Sequence, residues 1–66
     1  MQIKLNGKII EVPSPVTIQE LLVLNNFPSQ HTVIEMNGNI IKSDLWVKTL
    51  ITSGDELEII KFVGGG

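Results

Sequence analysis

The sequence predicts an α+β fold, and three features of the chain support that class. Asn-Gly pairs stand at residues 6–7 and 37–38, each between segments in which apolar and polar residues alternate. One helix signature lies between these pairs, and an apolar, β-branched segment follows the second pair near the end of the chain. Hairpins and a single helix that share one core are typical of the α+β class.

The first Asn-Gly pair predicts a two-residue hairpin turn, because Asn and Gly accept the positive φ that a type I′ turn needs at both positions. The return strand is expected at residues 8 to 12. Pro13 and Pro15 end it, since proline cannot donate a hydrogen bond to a neighbouring strand. The residues predicted to face the core are Met1, Ile3, Leu5, Ile10 and Val12.

A short helix is predicted to begin at Thr17. Residues 17–20 read Thr-Ile-Gln-Glu and fit a capping box, in which the threonine hydroxyl and the glutamate carboxylate accept hydrogen bonds from each other's backbone amides. Two asparagines at residues 25–26 and then Pro28 are predicted to end it after two or three turns. The stripe predicted to lie across the sheet consists of Ile18, Leu21 and Leu22; Asn25 falls at the next position of the same spacing, and its membership is left open.

The second Asn-Gly pair predicts another hairpin. Residues 32 to 36 are expected to form its first strand, with Ile34 and Met36 facing the core. Residues 39 to 41 are expected to form the brief returning strand. After this hairpin, Ser43 is predicted to cap a single helical turn that runs through Trp46.

The last strand is predicted at residues 56 to 62, after a turn at residues 53–55. The element order is then β-β-α-β-β-β, which is compatible with a mixed sheet of four to five strands and one helix packed across it. If the first and last strands are parallel neighbours at the centre, the fold is a β-grasp; the sequence leaves that pairing open. We predict a β-grasp domain at residues 1–63 and a flexible tail at residues 64–66.

Composition excludes several classes of function. The 66-residue chain contains no cysteine, which excludes a disulfide framework and a thiolate metal site. Its net charge is -2 and it contains no arginine, which argues against a nucleic-acid surface. The N-terminus does not resemble a signal peptide and no apolar segment reaches membrane-spanning length, so we expect a cytoplasmic protein without a membrane partner.

The three terminal residues, Gly64, Gly65 and Gly66, are the strongest functional signal. Glycine lacks Cβ and can pass through a channel too narrow for other residues, so the tail is predicted to insert into a partner's active site. Three extended residues reach about 10 Å. The reactive group at the end of that reach is the α-carboxylate of Gly66. The alternative reading is a disordered end or a cloning remnant.

Ile60, Phe62 and Val63 precede the tail and are predicted to dock on a partner. With a period of two, Leu57 and Ile59 face the core, which leaves Ile60 and Phe62 on the opposite face of the sheet. Exposed apolar groups in a cluster usually mark an interface. The alternative is that the loop at residues 43–51 covers them.

Other conspicuous residues are better explained by structure than by function. Trp46 is predicted to be a packing anchor. His31 has no Asp, Glu or Cys at ligand spacing, so we expect a solvated side chain and no metal site. Asp55 and Glu56 are assigned to turn chemistry and solubility. Lys61 is assigned to solvent rather than to steering the tail.

Taken together, these motifs resemble the ThiS family, the ubiquitin-like sulfur carriers of thiamin thiazole synthesis. The resemblance covers the whole chain in order and at matching length. Its motifs are the Asn6-Gly7 and Asn37-Gly38 turns, the helix start at residues 16–22, Trp46, the Gly54-Asp55 turn and the Phe-Val-Gly-Gly-Gly ending.

The resemblance implies that the chain is a carrier and not an enzyme, with no bound cofactor. A ThiF-like enzyme would adenylate the Gly66 carboxylate with ATP. A sulfur-donor system would then convert it to a thiocarboxylate, and a ThiG-like thiazole synthase would accept the sulfur. Two alternatives keep the fold: a MoaD-like carrier for molybdopterin, or a ubiquitin-like protein modifier. A third is a binding module such as an RNA-binding β-grasp appendage, which the acidic balance disfavours.

Overall fold

The computed structural model describes residues 1–62, and residues 63–66 lie outside the described residues. Within that range the helix α1 spans Ile18–Leu24, and a single 3-10 turn spans Ser43–Leu45. The strands are β1 (Gln2–Leu5), β2 (Lys8–Glu11), β3 (Val16–Thr17), β4 (Thr32–Met36), β5 (Asn39–Ile41), β6 (Leu50–Ile51) and β7 (Glu56–Lys61).

Both Asn-Gly pairs form the predicted turns. Asn6 and Gly7 have φ values of 49° and 83°, and Asn37 and Gly38 have φ values of 52° and 86°. The asparagine side chains add a second role. Asn6 Oδ1 accepts a hydrogen bond from the amide of Ile59 at 2.8 Å, and Asn37 Oδ1 accepts one from the amide of Glu56 at 2.9 Å. Each hairpin turn is therefore bonded to β7.

Five strands form one mixed sheet in the order β2-β1-β7-β4-β5. The two hairpins, β1 with β2 and β4 with β5, are antiparallel, and β7 lies between them. β7 is antiparallel to β4 and parallel to β1, with Leu57 beside Leu5. The parallel pairing of the first and last strands, which the sequence left open, places β7 at the centre. This architecture confirms the predicted α+β class and the β-grasp fold.

The helix begins at the predicted capping box. The Thr17 amide donates to Glu20 Oε1 at 2.8 Å, and the Glu20 amide donates to Thr17 Oγ1 at 3.1 Å. The helix ends at the predicted asparagines: Asn25 is its C-cap, and Asn26 has a φ of 58°. Asn25 falls at the spacing of the stripe but does not join it, since it is exposed and its Nδ2 donates to the Leu21 carbonyl at 3.0 Å. A carboxamide reaches the free carbonyls of the last turn more favourably than it enters an apolar core.

The core lies between α1 and one face of the sheet, which we call the inner face. Its buried residues are Ile3, Leu5, Val12, Val16, Ile18, Leu21, Leu22, Ile34, Trp46, Ile51 and Leu57, with Met1, Ile10, Phe27, Met36, Ile41 and Ile59 packed around them. Trp46 is 2% exposed, and its indole N–H donates to the Ile41 carbonyl at 2.8 Å, so the packing role is confirmed.

Two features of the fold differ from the sequence prediction. β3 and β6 form a separate two-residue ladder that joins Val16 to Ile51, and no local sequence pattern predicts it. Ser43 does not cap the helical turn; it is the first residue of the turn, and Lys42 precedes it without a side-chain capping bond. Within the described part of the chain, no helix is long and apolar enough to cross a membrane.

Candidate functional site

The tail leaves the body from the central strand. Lys61 is the last residue of β7 and lies opposite Thr32 of β4. The amide of Phe62 donates to the His31 carbonyl at 2.7 Å, which extends the pairing by one residue. The hydroxyl of Thr32 donates to the Pro28 carbonyl at 2.7 Å and so holds the connector before β4. The last described residue is therefore anchored, and residues 63–66 follow it directly.

The face of the sheet opposite the helix, which we call the outer face, is apolar near the tail. Ile60 is 38% exposed and Phe62 is 56% exposed. Ile60 lies directly opposite the half-buried Val33 on β4. Ile40 on β5 is on the same face and is exposed. These four residues, Val33, Ile40, Ile60 and Phe62, form what we call the apolar patch.

The loop at residues 43–51 does not cover Ile60 and Phe62, so that alternative is wrong. Trp46 of this loop points into the core, where its carbonyl accepts a hydrogen bond from the Gln19 amide of α1 at 3.0 Å. Three other apolar residues of the loop, Leu45, Val47 and Leu50, are themselves exposed. The loop packs beside the helix, on the inner side of the sheet.

The outer face becomes acidic with distance from the tail. Glu58 lies opposite Glu35, one row of outward side chains below Ile60 and Val33. Glu58 is exposed and Glu35 is half-buried. The ion pair found among residues 1–62 joins the N-terminus to Glu11, so it involves neither of these carboxylates. The face therefore presents Phe62, Ile60 and Val33 nearest the tail, and the next row holds the two carboxylates, with Ile40 of the patch beside Glu35.

Asp55 serves the turn before β7 and not a catalytic pair. Burial by itself raises the pKa of Asp55. Hydrogen bonds from the Thr52 amide, the Asn37 side chain and the Thr52 hydroxyl together outweigh that effect, so the pKa lies below its usual value. The donor distances are 2.8 Å from the Thr52 amide, 3.1 Å from Asn37 Nδ2 and 3.1 Å from the Thr52 hydroxyl. Turn chemistry is confirmed as its role.

The side chains of His31 and Lys61 are both exposed. In the described range, no three His, Cys, Asp or Glu residues form a group that could hold a metal ion. Of the residues predicted to dock, Ile60 and Phe62 lie together beside the tail exit, while Val63 and the three glycines are outside the described residues. Their roles stay predictions.

Sequence reasoning missed two members of the apolar patch, Val33 and Ile40. The signal for Val33 was available, because placing Ile34 and Met36 on the core face turns Val33 outward. Ile40 stands in a three-residue strand, in which alternation is too short to assign a face. Only the pairing of Ile40 with Glu35 places it on the outer face.

A sequence model described as the ThiS family matches residues 3–66. The chain is 35% identical over 66 residues to the uncharacterized protein ycf40 of Porphyra purpurea, covering 100% of this chain and 93% of that protein. It is 32% identical to the sulfur carrier protein ThiS of Bacillus subtilis, covering 97% of this chain and 98% of that protein.

The chain is also similar to one segment of a larger protein. It is 29% identical to a thiazole synthase of Paramagnetospirillum magneticum over 66 residues, which are 100% of this chain and 20% of that protein. Among solved structures, the thiamine biosynthesis protein ThiS of Geobacter metallireducens superposes with a TM-score of 0.84 at 29% identity, with both chains covered completely. By the full-length match and the shared fold, the chain belongs to the ThiS family.

Proposed function

We propose that this chain is a sulfur carrier in thiamin biosynthesis and that the carboxylate of Gly66 is the group that carries the sulfur. The observation that supports this most is the course of the chain. The central strand leads from the buried Leu57 to the exposed Ile60 and Phe62, and the glycine tail follows in the sequence after Val63. The match to the ThiS family includes that tail, since it runs through residue 66.

The first step is activation of the carboxylate. An α-carboxyl group has an ordinary pKa of about 3.3 to 3.7, so at neutral pH it is an anion that sulfur nucleophiles do not attack. A carboxylate oxygen of Gly66 would attack the α-phosphorus of ATP, forming an acyl-adenylate and releasing pyrophosphate. The step would be catalysed by a ThiF-like enzyme, which binds the ATP; the carrier itself needs no cofactor.

The second step exchanges the adenylate for sulfur. A sulfur nucleophile attacks the activated carbonyl carbon, AMP leaves, and the terminus becomes a thiocarboxylate. Hydrosulfide would give this product directly. A protein persulfide would give an acyl disulfide, which a thiol then cleaves. The chain has no cysteine, so the sulfur comes from a donor system outside it.

The apolar patch is the proposed docking surface for the activating enzyme. The glycines have no side chains, so they cannot by themselves distinguish this carrier from another protein that ends in glycine. Specific binding then requires a second surface on the body. Ile60 and Phe62 are exposed beside the tail exit, and Val63 joins them in sequence.

Thiazole synthase is the proposed acceptor of the sulfur. A protein of that name in Paramagnetospirillum magneticum includes a segment similar to this whole chain. This similarity favours thiamin over molybdopterin as the pathway. We propose a cytoplasmic location, where ATP and reduced sulfur donors are both present. The chain acts as substrate and carrier, and the catalysis belongs to its partners.

The test is the intact mass of the protein after incubation with the adenylating enzyme, ATP and a sulfur donor. We expect the mass change of one oxygen replaced by sulfur, located in the C-terminal peptide. A variant that lacks Gly65 and Gly66 still ends in a carboxylate but is too short, and we expect no conversion. A synthetic chain with Gly66 as its amide should bind without being converted. Unchanged mass of the natural chain would refute the proposal.

A further inference from the structure

The strand that leads into the tail has a free edge. β1 accompanies β7 only as far as Leu57, because the chain turns away at Asn6 and Gly7. The last contacts on that side come from Asn6. Its amide donates to the Leu57 carbonyl at 2.9 Å, and its side chain accepts from the Ile59 amide at 2.8 Å. Within residues 1–62, no hydrogen bond from β1 or its turn reaches β7 beyond Ile59.

The direction of the backbone groups follows from the pairing with β4. The amide of Phe62 points toward β4, since it donates to the His31 carbonyl. Backbone groups on a strand alternate sides, so the N–H and C=O of Lys61 and the C=O of Ile59 point the other way, where β1 has ended. Among residues 1–62 no strand lies there to pair with them.

From this edge we infer that a β-strand of the adenylating enzyme pairs with β7 at Ile59 and Lys61 and continues along the tail. The inference rests on the proposed function. A segment without side chains can be recognised only through its main chain, and strand addition is the usual way to do so. Residues 63–66 follow Phe62 in the sequence, so a ladder that begins at Lys61 can continue onto them.

The length of the edge argues for an enzyme strand rather than a second copy of this chain. From Ile59 to Lys61 the edge offers only a few hydrogen-bonding groups, and the Asn6-Gly7 turn blocks the end of the edge nearer Leu57. So short a ladder is not stable alone. A strand that pairs here gains length only by continuing past Phe62 onto the tail, which enters the active site in the proposed reaction.

This pairing would set how far the carboxylate reaches. Successive residues of a strand advance by about 3.3 Å, so a slip of one residue would move Gly66 by that distance relative to ATP. A misplacement of that size is enough to abolish in-line attack. Lys61 would thus be a positioning residue that fixes the register of the tail.

Amide hydrogen exchange of the ¹⁵N-labelled chain tests the contact directly. In the free protein we expect fast exchange at Lys61 and slow exchange at Ile60 and Phe62, whose amides pair with β4. With saturating adenylating enzyme, exchange at Lys61 should slow at least tenfold. Unchanged exchange at Lys61 in the saturated complex overturns the inference, and slowing only with thiazole synthase overturns the assignment to the adenylating enzyme.

A matched pair of synthetic chains tests the energetic role. N-methylation of Lys61 removes the inferred donor and keeps the side chain. N-methylation of Ile9 removes an amide that points away from β1 at the other edge of the sheet, far from the tail. We expect the dissociation constant for the enzyme to rise about tenfold or more in the first chain and less than about twofold in the second. Equal dissociation constants for the two N-methylated chains would overturn the inference.

The two proposals fail in different ways. If the unmodified chain gains no sulfur with the enzyme, ATP and a donor, the proposed function is wrong. If it gains sulfur and the chain with N-methylated Lys61 does so with the same dissociation constant and rate, only the strand pairing is wrong. Thermal melting of both synthetic chains distinguishes lost binding from lost fold.

Discussion

The two ends of β7 differ in almost every physical respect. At its start, Leu57 is 1% exposed, pairs with strands on both sides and packs in the core. At its end, Ile60 is exposed and pairs with β4 alone, and Phe62, just after the strand, is exposed and bonds to His31, just before β4. One strand therefore contributes to stability at its first residues and presents a surface at its last, and the change occurs where β1 turns away.

This difference shows how one strand of so small a protein can contribute to the core and also expose apolar side chains. A domain of this length buries only about 60% of the surface of its unfolded chain. Leu57 is buried in the core and Ile59 packs against it, whereas Ile60 and Phe62 remain exposed.

The largest effect is expected for Leu57→Ala. Removing a fully buried leucine leaves a cavity and typically costs about 2 to 5 kcal/mol of unfolding free energy, a large share of the stability of a small domain. Ile60→Ala, three residues later, should cost about 1 kcal/mol or less, because the side chain is partly solvated. Urea denaturation measures both. Similar losses at the two positions would contradict the contrast between the ends.

A change at the exposed end should affect binding rather than folding. We expect Ile60→Glu to weaken the complex with the adenylating enzyme about tenfold or more, because a charge would enter an apolar interface. The matched control is Ile9→Glu, at a residue that is 69% exposed on the outer face of the edge strand, far from the tail. Calorimetric titration gives the affinities, and circular dichroism verifies the fold. Unfolding of the Ile60 variant would assign that side chain to the core.

The smallest effect is expected at the turn before β7, as a dependence of stability on pH. Because the pKa of Asp55 lies below its ordinary value of 3.8, the ionised carboxylate stabilises the folded state above about that pH. This contribution is lost as the pH falls through the lowered pKa. Asp55→Asn should cost about 1 kcal/mol near neutral pH and make stability vary less below pH 4. Urea denaturation at several pH values measures this. A difference in unfolding free energy between the two proteins that stays constant from pH 7 to pH 3 would refute the prediction.

The hairpins and the helix start could be predicted from the sequence because their causes are local. Asn6 and Asn37 fix their turns through backbone conformations that few residues adopt, and Thr17 with Glu20 satisfies the first amides of α1. Helical spacing alone is not sufficient to assign a residue to the core: Asn25 fits the spacing of the stripe, but its carboxamide caps the helix end.

The features that the sequence did not predict depend on contacts between distant residues. The ladder of β3 with β6 joins two-residue segments more than thirty positions apart, and neither carries a strand pattern of its own. Alternation alone could not decide whether Ile60 and Phe62 are exposed or covered by the loop, since a period of two assigns a face of the sheet but not what covers that face. The position of the loop beside α1 decided that choice.

By itself, the sequence determined the turns, the helix, the two faces of each longer strand and the glycine ending, because local backbone preferences and side-chain periodicity specify them. Only the tertiary structure decided that β7 lies between β1 and β4, that β1 leaves it after Leu57, and that the outer face remains open. The physical reason is that strand pairing joins residues far apart in the chain, and its energy depends on which surfaces meet. The free edge and the apolar patch beside the tail both arise from that pairing.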